Sequence, residues 1–261
     1  MSKYLLASDY DYTLRRWPDD ISDEDKAAIR KFREAGNYFV IVSGRVFKSM
    51  EWELNGNGFR DVDMILTMSG SLATDAYGEI IYENRGESDI ILPLMETLKE
   101  LNVRLASVEV GKTSHSISDF PEMVFGNPTT VEEAAKLPYF TNFCAGFWSC
   151  DEAEIAAKVL KEKFGDKINP LLNGFSVDLP PKTVNKGLAV KRVADILGVK
   201  ENNIYTAGDN FNDIDMLERF HGRAMYNAEP EVLRAAEKSI RSISEIIEEI
   251  LSISTERFTI S

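Results

Sequence analysis

Short apolar runs alternate with amphipathic helical segments at both ends of the chain, and this alternation limits the possible folds more than any other feature. Residues 4–8, 38–42 and 62–68 are mainly apolar runs of strand length, typical of strands buried on both faces. Between the first two runs, a helical stripe of apolar residues begins after Ser22 and ends at Gly36. Strands and helices in alternation predict a parallel sheet covered by helices.

The middle of the chain lacks this regular alternation of strands and helices. A hairpin is predicted near Gly78, and three prolines interrupt any long element between residues 111 and 139. Strands and helices do not alternate regularly here, which favours an α+β insert. From residue 182 the alternation of strand-like and helical segments resumes. The sequence therefore predicts one α/β core of residues 1–78 and 182–261, with residues 79–181 inserted as a cap domain.

Charge and residue usage exclude several classes of function. The 261 residues carry a formal net charge of −13, spread along the chain, so we expect no nucleic-acid partner and no anionic membrane partner. With two His and two Cys there is no zinc-type cluster, and a hard cation on oxygen ligands is favoured instead. The N-terminal segment lacks a signal-peptide pattern, and no apolar run approaches transmembrane length. These features predict a soluble cytoplasmic protein.

Acidic residues follow two of the predicted strands. Asp9 and Asp11 come directly after the first strand, and Asp209 and Asp213 follow the strand at 203–207. An Asp-x-Asp pair alone is more often a turn or a helix cap. The carboxyl ends of parallel strands share one edge of a sheet, however, so two acidic strand ends can meet there. If these two strands are neighbours, Asp9 and Asp209 can share a Mg²⁺ ion.

Candidate anion-binding groups also fall at strand ends and helix starts. Ser43 and Gly44 follow the second strand and would place a hydroxyl and backbone N–H groups at a helix N-terminus. Lys186 lies at another helix start, where a cation opposes the helix dipole and so indicates an anionic partner, although a solvated lysine is the simpler alternative. The sequence predicts a local site for a small anionic substrate.

The motif order resembles that of the haloacid dehalogenase superfamily of phosphotransferases. Asp-x-Asp at residue 9, Ser-Gly-Arg at 43, Asn-Lys-Gly at 185 and Gly-Asp-x-x-Asn-Asp at 208 follow one another along the predicted core. The length and place of the insert resemble the Cof-like sugar phosphatases of class IIB, which have a large α/β cap. The resemblance implies a doubly wound, Rossmann-like core, a Mg²⁺ cofactor and a small phosphorylated metabolite as partner.

The resemblance also implies roles for individual residues. Asp9 is expected to be the nucleophile, and Asp11 the acid that protonates the leaving oxygen and then the base that activates water. Ser43, Gly44, Lys186 and Asn212 are expected to bind phosphate, and Arg45 is expected to face the substrate. The metal site is expected to involve Asp9, Asp209 and the backbone carbonyl of Asp11, with Asp213 orienting metal-bound water.

Two positions depart from the family pattern. Tyr12 stands where relatives usually have Gly, and it would be strained if that position needs a positive φ. Ser-Gly-Ser at 69–71 stands where relatives often show Asn-Gly-Ala. Neither change removes a predicted catalytic group.

Three functions fit these motifs. The first is hydrolysis of a small phosphomonoester, such as a sugar or polyol phosphate, under a closing cap. The second is phosphoryl transfer to a sugar hydroxyl, as in a phosphotransferase or phosphomutase. The third is a catalytically impaired homologue that only binds a ligand. The motifs name no particular substrate and leave the oligomeric state open.

Overall fold

The structure is a computed structural model that describes residues 3–123 and 126–259, with side chains as far as Ile253. It confirms the α/β fold class. The described strands are β1 Leu5–Ser8, β2 Tyr38–Val42, β3 Met64–Thr67, β4 Leu72–Thr74, β5 Ile80–Glu83, β6 Gly86–Glu87, β7 Leu105–Val110, β8 Thr113–Ile117, β9 Asn127–Thr129, β10 Tyr139–Phe140, β11 Asn142–Gly146, β12 Leu171–Asn173, β13 Ser176–Asp178, β14 Ile204–Gly208, β15 His221–Met225 and β16 Lys238–Ile240.

Helices connect and cover these strands. They are α1 Asp23–Glu34, α2 Phe47–Gly56, α3 Ile91–Glu100, α4 Val131–Ala134, α5 Cys150–Phe164, α6 Lys186–Leu197, α7 Ile214–Arg219, α8 Pro230–Ala235 and α9 Ile243–Thr259. Of the helices that the structure describes, none is both long and apolar enough to cross a bilayer.

Eight strands form the large sheet, in the order β16-β15-β14-β1-β2-β3-β4-β5. The pairings from β16 to β3 are parallel, and β4 and β5 are added as an antiparallel hairpin. From β1 the chain continues to one side through β2 and β3, and it returns on the other side through β14 and β15. The order therefore reverses between β1 and β14, which is where open α/β sheets bind ligands.

Alternate residues of the large sheet pack on opposite layers of helices. Phe39 and Ile41 of β2 lie in a cluster with residues of α1, α2 and α9. Val40 and Val42 lie in a second cluster with residues of α6 and α7. Because both faces are covered, the strands are apolar throughout, as the sequence predicts. The sheet is doubly wound.

Six strands form the small sheet, in the order β12-β13-β11-β7-β8-β9. Its apolar face, which includes Val108, Phe143 and Val177, packs in a cluster with residues of α3 and α5. The division into a core of 1–78 and 182–261 and a cap of 79–181 stays a prediction. β5 lies beyond residue 78 but pairs within the large sheet, so we propose a boundary a few residues later.

Candidate active site

Three carboxylates meet at the reversal of strand order. Asp9 directly follows β1, Asp209 directly follows β14, and Asp213 lies in the next short turn. One oxygen from each lies within 4.8 Å of the others. Asp9 donates its backbone N–H to the carbonyl of Ala207 at 2.9 Å, which continues the parallel pairing and fixes the two strand ends together. β1 and β14 are neighbours in the sheet, and their parallel pairing brings Asp9 and Asp209 together.

Lys186 lies between two of these carboxylates. Its Nζ is 2.6 Å from Oδ1 of Asp9 and 2.5 Å from Oδ1 of Asp213, and its side chain is 1% exposed. Burial opposes the charge of Lys186, but Asp213 and Asp9 together raise its pKa above the usual range. The ammonium is therefore retained at the start of α6, where the helix dipole disfavours it. Nζ also lies 3.4 Å from Oδ1 of Asn212.

Asp213 holds the loop that carries Asp209. Its Oδ2 accepts hydrogen bonds from the backbone N–H groups of Asp209 and Asn210, both at 3.0 Å. A Cβ on Gly208 would lie 2.5 Å from the Cβ of Asp213, so the turn needs glycine there. Since Oδ1 of Asp213 contacts Lys186, both of its oxygens already have protein partners.

The donor set fits a hard divalent cation. All three groups offer carboxylate oxygens, the ligands that Mg²⁺ prefers. When all three carboxyl groups are ionised, the ammonium of Lys186 leaves two negative charges, which a divalent cation balances. Burial raises the pKa of Asp9 well above its usual range, although Lys186 opposes the rise, and burial together with Asp213 raises the pKa of Asp209 to about 7. Burial is the largest cause of both shifts, and the neighbouring carboxylates add to it.

The side chain of Asp11 is not part of this cluster of three carboxylates. Its Oδ2 and Oδ1 accept hydrogen bonds from Nε and Nη2 of Arg45 at 2.7 and 2.8 Å. Arg45 in turn contacts Oγ of Ser49 at 2.9 Å and Oε1 of Glu53 at 3.0 Å. Arg45, predicted to face the substrate, is thus engaged with the predicted acid, because a guanidinium fork matches both oxygens of a carboxylate.

The loop after β2, which contains Ser43 and Gly44, lies next to Asn212 of the site and next to the small sheet. Ser43 is buried, and its Oγ accepts a hydrogen bond from the N–H of Arg45 at 3.1 Å. A Cβ on Gly44 would lie 3.1 Å from Oδ2 of Asp178 and 3.3 Å from Nδ2 of Asn173. Glycine therefore lets the small sheet approach this loop. The helix α2 begins only at Phe47, three residues beyond Gly44.

Sequence reasoning missed Thr13, whose Oγ1 donates to Oδ1 of Asp209 at 2.6 Å. The same two-residue spacing that grouped Asp9 and Asp11 could have identified it. It also missed Asp215, which accepts a hydrogen bond from the N–H of Gly187 at 2.7 Å and so holds the start of α6. No sequence signal links Asp215 to that helix.

Tyr12 adopts φ = 61°, and the residue is 56% exposed. We expect Tyr12→Gly to raise the free energy of unfolding by up to about 1 kcal/mol, because relief of a left-handed conformation outweighs the added freedom of the unfolded chain. Urea unfolding measures the difference. Tyr12→Ala is the control, since it removes the ring and keeps the strained backbone. A glycine variant less stable than the alanine variant would contradict strain at this position.

Known sequences are similar to this chain over most of its length. The sequence model of the haloacid dehalogenase-like hydrolase family matches residues 6–247. The 5-amino-6-(5-phospho-D-ribitylamino)uracil phosphatase of Bacillus subtilis is 28% identical over 236 residues, which are 89% of this chain and 88% of the relative.

Solved structures share the fold. A haloacid dehalogenase-like hydrolase from Bacteroides thetaiotaomicron superposes with a TM-score of 0.78 and 20% identity, over 95% of this chain and 100% of that one. A sugar phosphatase of subclass IIB of the superfamily gives a TM-score of 0.74 and 18% identity, over 99% of this chain and 100% of that one. The family resemblance found in the motifs is confirmed. The chain belongs to the haloacid dehalogenase-like hydrolases and is an enzyme of that family.

Proposed function

We propose that this enzyme is a Mg²⁺-dependent phosphatase that hydrolyses small phosphomonoesters of sugars or polyols through an aspartyl-phosphate on Asp9. One observation carries the proposal: Asp9 lies within 4.8 Å of Asp209 and Asp213 while Lys186 contacts its Oδ1 at 2.6 Å. The Asp9 carboxylate is buried, belongs to a cluster of carboxylates that could bind a cation, and contacts a fixed ammonium. Such a carboxylate is suited to attack an anionic phosphoryl group. Relatives named for a ribityl phosphate and for sugar phosphates support the substrate class.

The chemistry has two steps. A carboxylate oxygen of Asp9 attacks phosphorus, the bond from phosphorus to the alcohol oxygen breaks, and that oxygen takes a proton from Asp11. Asp11 then takes a proton from water, whose oxygen attacks phosphorus and releases phosphate and the Asp9 carboxylate. Lys186, Ser43 and the N–H groups near Gly44 hold the phosphoryl oxygens as charge develops. Asn212, beside Lys186, adds a neutral donor.

Asp9, Asp209 and the carbonyl of Asp11 would hold Mg²⁺, and Asp213 would order the loop and the metal-bound water. When bound, the cation offsets the repulsion between the phosphate and the attacking carboxylate. We expect EDTA to abolish phosphate release from p-nitrophenyl phosphate and added Mg²⁺ to restore it. Phosphate release that persists unchanged in EDTA would contradict the proposed metal site.

The phosphotransferase alternative is tested in the same assay. With excess glycerol present, a phosphatase releases inorganic phosphate and p-nitrophenol in equal amounts. A phosphotransferase releases more p-nitrophenol than phosphate, since part of the phosphoryl group passes to the added alcohol.

Arg45 acts in this proposal as a positioning residue for Asp11. Its guanidinium contacts both carboxylate oxygens of Asp11. The guanidinium is itself fixed by an ion pair with Glu53 and a hydrogen bond to Ser49. We expect Arg45→Gln to lower kcat by about 10- to 100-fold with a smaller change in KM, because a misplaced acid slows proton transfer more than it weakens binding. Steady-state kinetics on an alkyl phosphate measures both constants.

Arg30→Gln is the matched control, since Arg30 contacts Asp61 through Nε and Nη2 at an exposed site. It should leave kcat unchanged. If Arg45→Gln raises KM and spares kcat, Arg45 binds substrate instead of positioning Asp11.

A further inference from the structure

The turn that follows β3 has an unusual backbone. Met68, Ser69 and Gly70 have φ angles of 53°, 56° and 100°, so three consecutive residues lie in the left-handed region. Glycine adopts such angles freely, whereas Met and Ser rarely do. Ser69 is 0% exposed, and its Oγ makes no hydrogen bond to any residue that the structure describes. The hydroxyl therefore does not stabilise this conformation, and the contacts of the surrounding backbone must do so.

One side of this left-handed turn, residues 68–70, fixes the loop that contains Ser43. The N–H of Ser69 donates to the carbonyl of Ser43, and the N–H of Met68 donates to the carbonyl of Arg45, both at 2.9 Å. The N–H of Ser43 donates to the carbonyl of Leu66 in β3 at 2.8 Å. Backbone hydrogen bonds therefore hold this loop on both sides of Gly44, and its position depends on that of the turn.

The other side of the turn packs against α6, the helix that begins at Lys186. A Cβ on Gly70 would lie 2.2 Å from the Cβ of Ala189 and 3.6 Å from the carbonyl oxygen of Asn185. Ala189 lies less than one helical turn beyond Lys186. Glycine at position 70 therefore lets the start of α6 approach the turn. A side chain there would push α6, and Lys186 with it, away from the loop of Ser43.

Asn84 connects the turn to α6 a second time. Its Nδ2 donates to the carbonyl of Gly70 at 3.1 Å, and its Oδ1 accepts from Nη1 of Arg192 at 2.9 Å. Arg192 belongs to α6, and its guanidinium lies 3.8 Å from the centre of the Tyr82 ring. The turn and the helix are thus joined at Ala189 and again through Asn84, so they are expected to move together.

We propose that the left-handed turn is a positioning element of the active site: it sets the distance between the loop of Ser43 and Lys186, and so the fit of a phosphoryl group between them. The inference rests on the proposed phosphatase function, in which Ser43 and Lys186 hold the phosphoryl oxygens, and deepens it. Ser69 and Gly70 act through those two residues. Each contributes a backbone property, a left-handed N–H at Ser69 and the absence of a Cβ at Gly70.

The first test creates a clash and then removes it. We expect Gly70→Ala to raise the Kd of inorganic phosphate with Mg²⁺ about tenfold or more, and to lower kcat/KM for p-nitrophenyl phosphate by a similar factor, because small displacements of binding groups have large effects. Ala189→Gly removes the Cβ that the new methyl group would meet. The double variant should bind phosphate within about threefold of Ala189→Gly alone. A double variant as weak as Gly70→Ala would overturn the inference.

The second test changes the conformation at Ser69. Ser69→Gly keeps a left-handed backbone, so the Kd of phosphate should stay within about twofold, whereas the β-branched Ser69→Val disfavours it and should raise the Kd about tenfold. Asn102→Val is the matched control, since Asn102 also has a positive φ, 55°, but is exposed after α3. It should lower the urea midpoint and leave the Kd unchanged. If Ser69→Val likewise lowered only the midpoint, the turn would serve the fold alone and the inference would be overturned.

Isothermal titration calorimetry with inorganic phosphate needs no turnover, so the two proposals can fail separately. Phosphate binding that weakens in Gly70→Ala and Ser69→Val would support the inference even if the unmodified chain hydrolysed no phosphomonoester, a result that would contradict the proposed function. An active enzyme whose Kd for phosphate is the same in both variants as in the unmodified chain would overturn the inference and leave the proposed function standing.

Discussion

Asp9→Asn is expected to lower kcat for phosphate release by about 10⁴-fold or more while the chain stays folded. The amide cannot form the acyl phosphate, and loss of a nucleophile removes the whole covalent route. The fold should tolerate the change, because burial already disfavours the charged form of Asp9 and Asp213 remains as a partner of Lys186. Kinetics with p-nitrophenyl phosphate and a urea unfolding curve measure the two effects.

Asp19→Asn is the matched control, since Asp19 is exposed and lies beyond the strand that carries the nucleophile, outside the carboxylate cluster. It should retain full activity. Turnover of Asp9→Asn within tenfold of the unmodified enzyme would show that Asp9 is not the nucleophile.

Lys186→Met is expected to lower the free energy of unfolding by about 3–5 kcal/mol, the usual cost of leaving a buried charge without its partner. Asp9 and Asp213 both contact the ammonium, so its removal leaves two buried carboxylates facing each other. We also expect kcat to fall by about 10²–10³-fold, as for loss of one group that stabilises developing charge. Urea unfolding in EDTA isolates the protein's own contribution from that of Mg²⁺.

The same helix provides a control for this change. Lys191 pairs with Asp195 at 2.5 Å on the exposed side of α6, so Lys191→Met should change stability by about 0.5 kcal/mol or less. If Lys186→Met and Lys191→Met were equally stable and equally active, the buried ion pairs would have no role in the fold or in the reaction.

The parts of the fold with continuous apolar runs were predictable from the sequence. The strand at 38–42 and the helix that begins after Ser22 lie where the pattern predicts them. The segment from 111 to 139 was predicted to be irregular, but it contains β8, β9 and α4. These elements are short and lie near prolines, so periodicity has too few residues to reveal them.

The site was predictable where its residues follow strands of one sheet edge. Asp9 and Asp209 meet because the parallel strands β1 and β14 end together, and Lys186 reaches Asp9 from the start of α6. The contact between Asp11 and Arg45 was not predictable, since it depends on how two loops turn after their strands. The left-handed turn at residues 68–70 was not predictable either, because Met and Ser rarely adopt a positive φ.

The most direct measurement is to identify the residue that carries phosphate during turnover. In Asp11→Asn, p-nitrophenyl phosphate still reacts, because its leaving group needs little protonation, whereas attack by water slows and the intermediate accumulates. Borohydride reduction followed by mass spectrometry of the peptides locates the acyl phosphate. The proposed mechanism predicts a burst of one p-nitrophenol per chain and reduction at Asp9. No burst, or a reduced carboxyl at any other residue, would contradict it.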